Sequence, residues 1–276
     1  MRWKQFFTPV ASIDAAQAKK IINENEQGSY TLLDVRQPAE YEAGHLPGAK
    51  LIPLPDLNDR LQEIDSEKPT IVYCAIGGRS RVAAQMLAVK DFSRVYNLSG
   101  GFKAWHGNYA TGREDQGLDL FTGKEKPEQV LIVAYSLEKG LSDFYQKIAP
   151  QIDIHAVSEL FHRLSAIEIN HQHRIFEEYC RITGVKIEIE VFDNETVSPV
   201  MEGGIDIEEY MERYKTSVES PADVIDLAMS IEAQALDLYS RAAENASDPE
   251  NSRVLRQIAR EEQEHLKLLG DLFEQL

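Results

Sequence analysis

Along the first third of the chain, short apolar runs alternate with stretches whose apolar residues recur at helical spacing. Residues 30–35, 70–74 and 95–98 read as buried strands and 51–53 as a short extended piece. Residues 12–25, 57–64 and 79–89 read as helices, the last presenting Val82, Ala83, Met86 and Leu87 on one face. Strands alternating with helices predict an α/β domain, a parallel sheet with flanking helices, over residues 1–108. Residues 109–125, rich in Gly, Thr and mixed charge, read as a linker. From 126 to 276 the period is helical. Four seams follow in turn: Val130, Val133, Leu137, Leu141, Phe144, Ile148; Leu160, Leu164, Ile167, His171, Ile175; Val224, Leu227, Ile231, Ala235, Leu238; and Val254, Ile258, Glu262, His265, Leu268, Leu272. These predict an all-α four-helix bundle. The stretch 183–220 between the second and third helices far exceeds the usual helix connection, so one long crossover is expected, with 186–192 as a strand-like strip and 206–214 as an extra short helix.

Polar residues interrupt those seams in a repeated pattern. Glu138 is followed thirty positions on by Glu168, with His171 three further. Glu232, Glu262 and His265 repeat this at an offset of 94, and Phe144-Tyr145 and Leu164 have counterparts in Leu238-Tyr239 and Ile258. Residues three apart share one helix face, so Glu168 with His171, and Glu262 with His265, can each grip one ion. Glu138 and Glu232 can bridge or complete the pair. A single Glu-x-x-His would say little, since acidic helices carry solvated Glu. Its duplication within apolar seams, where an unpaired carboxylate is costly, points to a site for two metal ions. Oxygen-rich ligation with one imidazole per metal suits iron or manganese, with zinc as an alternative.

Charge divides the chain in the same place. Of the net −17, residues 1–108 contribute +1 and 109–276 contribute −18. So acidic a half argues against nucleic acid or an anionic membrane as partner. No apolar stretch is long enough to span a bilayer, and MRWKQFFTPVASID lacks the apolar core of a signal peptide, so the cytoplasm is the expected compartment. Cys74 and Cys180 fall in different domains and suggest no disulfide.

Cys74 ends an apolar run, and the chain then passes through Ala75, Ile76, Gly77, Gly78, Arg79 and Ser80 into a helix. A strand, glycine loop and helix start turn backbone N–H groups inward and form an anion cradle, in which Arg79 and the helix terminus favour the thiolate. The wider pattern resembles the rhodanese (sulfurtransferase) family over residues 5–108. The resemblance rests on Leu33-Asp34-Val35-Arg36, Glu40-Tyr41, Gly44-His45-Leu46-Pro47-Gly48-Ala49, Cys74-x-x-Gly77-Gly78-Arg79-Ser80, and Gly100-Gly101-Phe102 with Trp105. It implies a rhodanese-like parallel sheet and a Cys74 that carries sulfane sulfur from thiosulfate or a persulfide to a thiophilic acceptor. Related phosphatases have a longer loop with Arg six positions after Cys, where Ser80 stands here. Asp34 and Arg36 are expected to support the loop, and His45 to serve turn and packing.

Residues 125–276 resemble the ferritin-like superfamily and, within it, rubrerythrin-type diiron proteins, whose ligand pattern falls on Glu138, Glu168, His171, Glu232, Glu262 and His265. The paired C-x-x-C motifs of rubrerythrin's own electron donor are lacking, and Ala235 stands where a further carboxylate is usual. Three functions follow as expectations: sulfur transfer coupled to a diiron redox domain; peroxide or O₂ reduction, with the thiol domain or an external donor supplying electrons; or non-enzymatic iron binding and sulfur sensing. A homodimer is expected.

Overall fold

The computed structural model describes residues 9–195, 200–201, 205–206 and 220–274, and divides the chain into units 1–114 and 115–276. In the first unit, β1 (Ala11–Ile13), β2 (Thr31–Asp34), β3 (Lys50–Leu51), β4 (Thr70–Tyr73) and β5 (Val95–Leu98) form one parallel sheet in the order β1-β5-β4-β2-β3. Helices α1 (Ala15–Glu24), α2 (Pro38–Glu42) and α3 (Gly78–Ala88) accompany it. The central β4 is buried along its whole length, as its unbroken apolar run requires when both sheet faces are covered. Two apolar clusters result, one around Leu33, Val72 and Leu87 and one around Leu32, Ile71 and Leu98.

Two elements differ from the sequence reading here. The expected helix at 12–25 starts later: Ser12 belongs to β1, and Asp14 caps α1 by accepting from the Gln17 N–H at 2.8 Å. Residues 57–64 form turns and a single 3₁₀ turn at Leu61–Glu63. Leu57 and Ile64 are buried as expected, but so short a segment between tight turns cannot nucleate an α-helix.

The second unit contains α4 (Pro127–Ile148), α5 (His155–Thr183), α6 (Ile189–Glu195), a two-stranded ribbon of β6 (Val200–Met201) and β7 (Ile205–Asp206), α7 (Pro221–Asn245) and α8 (Pro249–Phe273). Pro at the first turn opens α4, α7 and α8, Ser220 and Asp248 cap α7 and α8, and Gly184 ends α5 at φ +69°. The pairs α4/α5 and α7/α8 are helical hairpins packed into a bundle, joined by one long crossover. Of residues 186–192, read as strand-like, 189–192 open helix α6 and 186–188 precede it without regular structure. Its Phe192 is buried against Tyr135, Phe176 and Tyr179 with ring centroids 4.9, 5.3 and 4.6 Å away. Asp206 lies in β7, and the rest of the helix expected at 206–214 lies outside the described residues.

The segment read as a linker is built onto both units. Ala110 bridges to His45 and the Gly112 N–H donates to Glu42 O, whereas Phe121 is buried in the bundle core and the Ser247 N–H donates to Gly123 O. The seams also shift. Leu268 is 63 % exposed and Leu269 takes the inward place, because two successive steps of three from Glu262 swing a residue about a third of a turn off the core line. On α5 the buried arc runs through Phe161, Leu164, Glu168 and Ile175, leaving Ile167 39 % exposed at its edge. Phe192→Ala is therefore expected to destabilise the bundle by about 3–5 kcal/mol and Leu268→Ala by less than about 0.5 kcal/mol, read from denaturant unfolding of the helical circular-dichroism signal.

Candidate thiol site and metal centre

Cys74 stands immediately after β4, and the residues that follow turn sharply into α3. Gly77 adopts φ +92°, and a side chain there would press on the Gly100 backbone at 3.2 Å. The opposite wall is the 100–104 turn. The Phe102 N–H donates to Cys74 O at 2.7 Å and the Lys103 N–H to Ala75 O at 3.0 Å. The loop carbonyls are thus held outward. Gly101 permits this approach, since a Cβ on it would lie 2.1 Å from Cys74 O. Facing the sulfur are donors: the Gly77 N–H reaches Cys74 Sγ at 3.1 Å, and Ser80 Oγ lies 3.5 Å from it. Burial pushes the thiol up, but the Ser80 hydroxyl and the backbone N–H groups of Ser80, Ile76 and Gly77 outweigh it, so the pKa falls below the ordinary cysteine value. Asn97 Oδ1, 2.7 Å from Ser80 Oγ, is the alternative acceptor of the same hydroxyl hydrogen, and Asn97 Nδ2 donates to Ser12 Oγ at 3.2 Å.

The sequence places Arg79 as a cation for the thiolate. In the structure it is shared. Its Nη1 and Nη2 donate to Glu40 Oε2 and Oε1 at 2.7 and 2.6 Å, and Cys74 contributes less than Glu40 to raising its pKa. Ala75 is half-buried, whereas Ile76 and Gly78 are exposed at the rim. Asp34 and Arg36 sit beside the sheet end. Arg36 donates to both Asp34 oxygens and to Gly44 O at 2.7 Å, with its guanidinium 4.5 Å above the Phe102 ring. They fix the Gly44-His45 turn and the aromatic that follows Gly101. His45 is buried, stacked on Tyr41 at 3.6 Å.

In the bundle, the six repeated residues converge as two clusters, Glu138/Glu168/His171 and Glu232/Glu262/His265. Within each cluster one ligand atom per residue lies within 4.8 Å of the others, and all six residues are buried. His171 Nδ1 is 2.9 Å from Glu168 Oε2 and 3.5 Å from Glu138 Oε2; His265 Nδ1 is 3.1 Å from Glu262 Oε2 and 3.4 Å from Glu232 Oε2. The two imidazoles stack at 3.7 Å with 1° between planes, which joins the clusters. Glu168 Oε1 is buried and finds no hydrogen-bond donor among the described residues. Burial, then Glu232 and Glu138, pushes the Glu168 carboxyl well above the usual range. That orphaned oxygen, the mutual repulsion and a donor set of four carboxylates and two imidazoles all fit two divalent cations.

A family model described as Rubrerythrin matches residues 129–273, just over half the chain, and one described as Rhodanese-like domain matches residues 14–108. The chain belongs to the rubrerythrin family. Its first unit is a rhodanese-like domain. The Bacillus subtilis protein YqhL is 49 % identical over 76 residues, or 28 % of this chain, which spans 60 % of that relative's length. A Staphylococcus aureus rhodanese-like domain protein is 29 % identical over 35 % of this chain and 91 % of its own, with a TM-score of 0.33. A rhodanese-related protein from Thermoplasma volcanium is 32 % identical over 34 % and 89 %, with a TM-score of 0.31.

Within the rubrerythrin domain the structure brings all six predicted ligand residues together. In the rhodanese-like domain it gathers Cys74, Ser80 and the loop N–H groups, and sets Asp34 and Arg36 to one side. Sequence reasoning missed Asn97, whose signal was a polar residue inside the buried strand Val95–Leu98, and the Glu40 clamp on Arg79. It also missed Gln172, which donates to Glu138 O at 3.3 Å beside the carboxylate and histidine clusters. Because Ser80 lowers the thiol pKa, Ser80→Ala is expected to move the pH midpoint of Cys74 alkylation upward. Thiolate, and so rate, then develops at higher pH than in the unsubstituted protein, as iodoacetamide kinetics across pH would show.

Proposed function

We propose that the rhodanese-like domain is a sulfur carrier. The Cys74 thiolate attacks the terminal sulfur of a donor, the donor's S–S bond breaks with its electron pair leaving on the donor fragment, and Cys74 holds the sulfur as a persulfide until a thiophilic acceptor takes it. The carrying observation is the reversed polarity of the loop: carbonyls tied to 102 and 103, N–H groups of 76, 77 and 80 turned to Sγ. Such a ring favours the thiolate and, after transfer, the charged persulfide equally. Thiosulfate-treated protein is expected to release thiocyanate with cyanide, and Cys74→Ser none. Absence of release from the unsubstituted protein, with thiosulfate and with a persulfide, would dismiss the reading.

For the rubrerythrin domain we propose a redox centre of two iron ions, with manganese as the alternative occupant. Such ions, when bound, supply the electron transfer that peroxide or O₂ reduction needs. The chain's residues have other tasks. Glu168 with His171, and Glu262 with His265, would each hold one ion; Glu138 and Glu232 would complete both; and the apolar layers above and below would exclude bulk water. A second reading makes this centre the principal catalyst, with Cys74 relaying electrons from an external thiol reductant in the absence of rubredoxin-type cysteines; the buried six-residue constellation favours it. Turnover of hydrogen peroxide by iron-loaded protein, lost in Cys74→Ser, is its expected result. Turnover unchanged by that substitution would remove the relay and leave an external donor.

A further inference from the structure

The thiol loop carries an uneven charge arrangement that bears on which sulfur donor it takes, an inference resting on the sulfur-carrier reading above. Positions 75–78 are Ala, Ile, Gly and Gly, so the rim has no charged side chain until Arg79. Arg79 is held in a two-pronged ion pair by Glu40, both side chains 35 % exposed, and these contacts stand beside the thiol that itself raises the Arg79 pKa. Arg79 holds Glu40 at a pKa of about 2, so the carboxylate stays ionised at any working pH. Ile76, 69 % exposed, adds an apolar surface at the rim. Arg81, one turn into α3, is exposed and makes no ion pair among the described residues.

The balance of charge in the reaction then decides between donors. With thiosulfate, Cys–S⁻ and S–SO₃²⁻ give Cys–S–S⁻ and SO₃²⁻, and the transition state gathers three negative charges beside a cation already neutralised by Glu40. With the protonated form of an organic persulfide, Cys–S⁻ and R–S–SH give Cys–S–SH and RS⁻, and the acidic S–H then passes its proton to RS⁻ or to solvent to leave the charged Cys74 persulfide; one negative charge is carried through the transition state, and the R group can lie on Ile76. Like charges within a few ångströms at a partly exposed site repel appreciably.

We propose that Glu40 is a specificity-determining residue, which by occupying Arg79 sets the Cys74 loop against dianionic sulfur donors and in favour of small organic persulfides of low charge.

The test uses the full-length protein and two pairs of probes. Loading of Cys74 is followed by the mass gain of one sulfur atom, with thiosulfate and with the persulfide of 2-mercaptoethanol. Alkylation is followed with anionic iodoacetate and neutral iodoacetamide, which read the charge of the mouth without any sulfur chemistry. Glu40→Gln is expected to raise both the thiosulfate-to-persulfide ratio and the iodoacetate-to-iodoacetamide ratio roughly tenfold, and Glu40→Asp to leave both near their original values. In the unsubstituted protein the iodoacetate ratio should rise with added salt, a measurement that needs no variant to fold. An unchanged alkylation ratio in Glu40→Gln, or one indifferent to salt in the unsubstituted protein, would overturn the inference. So would a thiosulfate ratio that stays put while both donors load. Failure of both donors to load, with the alkylation ratios shifting as stated, would instead strike the sulfur-carrier reading.

Discussion

Four carboxylates drawn into one layer of a helical bundle are the constraint around which the second unit is organised. Each would lose several kcal/mol of hydration on burial, and they repel one another, as the raised Glu168 pKa registers. The apolar core is split accordingly. One cluster lies around Leu131, Leu137, Leu238 and Ile258, another around Leu141, Phe161, Leu164 and Ile231, and Glu138, Glu168, Glu232 and Glu262 fall between them along their helices. Packing on both sides fixes the backbone of all four helices at that level, so the carboxylates cannot separate without opening the core. Two divalent cations placed between them would offset the cost of holding them together.

The same physics runs with opposite sign in the thiol loop. There the folded chain must hold a negative charge, and it does so with dipoles. The 100–104 turn takes the carbonyls of Cys74 and Ala75, and a glycine at 101 is needed because the Cys74 oxygen occupies the space of any Cβ. Removing the acceptors from one side of the loop is what leaves the donors facing Sγ. Asn97 holds Ser80 from behind: its Oδ1, 2.7 Å from Ser80 Oγ, competes with Sγ for the one hydroxyl hydrogen, which turns toward the sulfur when Cys74 carries a negative charge.

The two centres were unequally visible in the sequence. The convergence of the six carboxylate and histidine residues was legible residue by residue, because duplicated helices write the same residues at one fixed offset and each lies within a helix whose period is readable. The glycines and cysteine of the loop were legible for a similar reason, since a tight turn between strand and helix is a local matter. What escaped was set by tertiary contact. Glu40 meets Arg79 across 39 positions, Asn97 reaches Ser80 from a neighbouring strand, and α6 exists where Lys186–Phe192 alternates like a strand because Phe192 finds an aromatic pocket on α4 and α5. Ile167 and Leu268 were misplaced because an apolar residue near a seam does not reveal how wide the buried arc is.

Charge gives the two halves different callers. The bundle half, at −18, draws divalent cations toward itself and repels small dianions over distances of the order of a Debye length, about 8 Å at physiological ionic strength. The thiol half, at +1, has no comparable field; of the two arginines at the start of α3, Arg79 is matched by Glu40, and Arg81 is exposed and makes no ion pair among the described residues. The proposed discrimination against dianionic donors therefore rests on the local Glu40–Arg79 pair, which acts within a Debye length of Cys74, and not on the charge of the bundle.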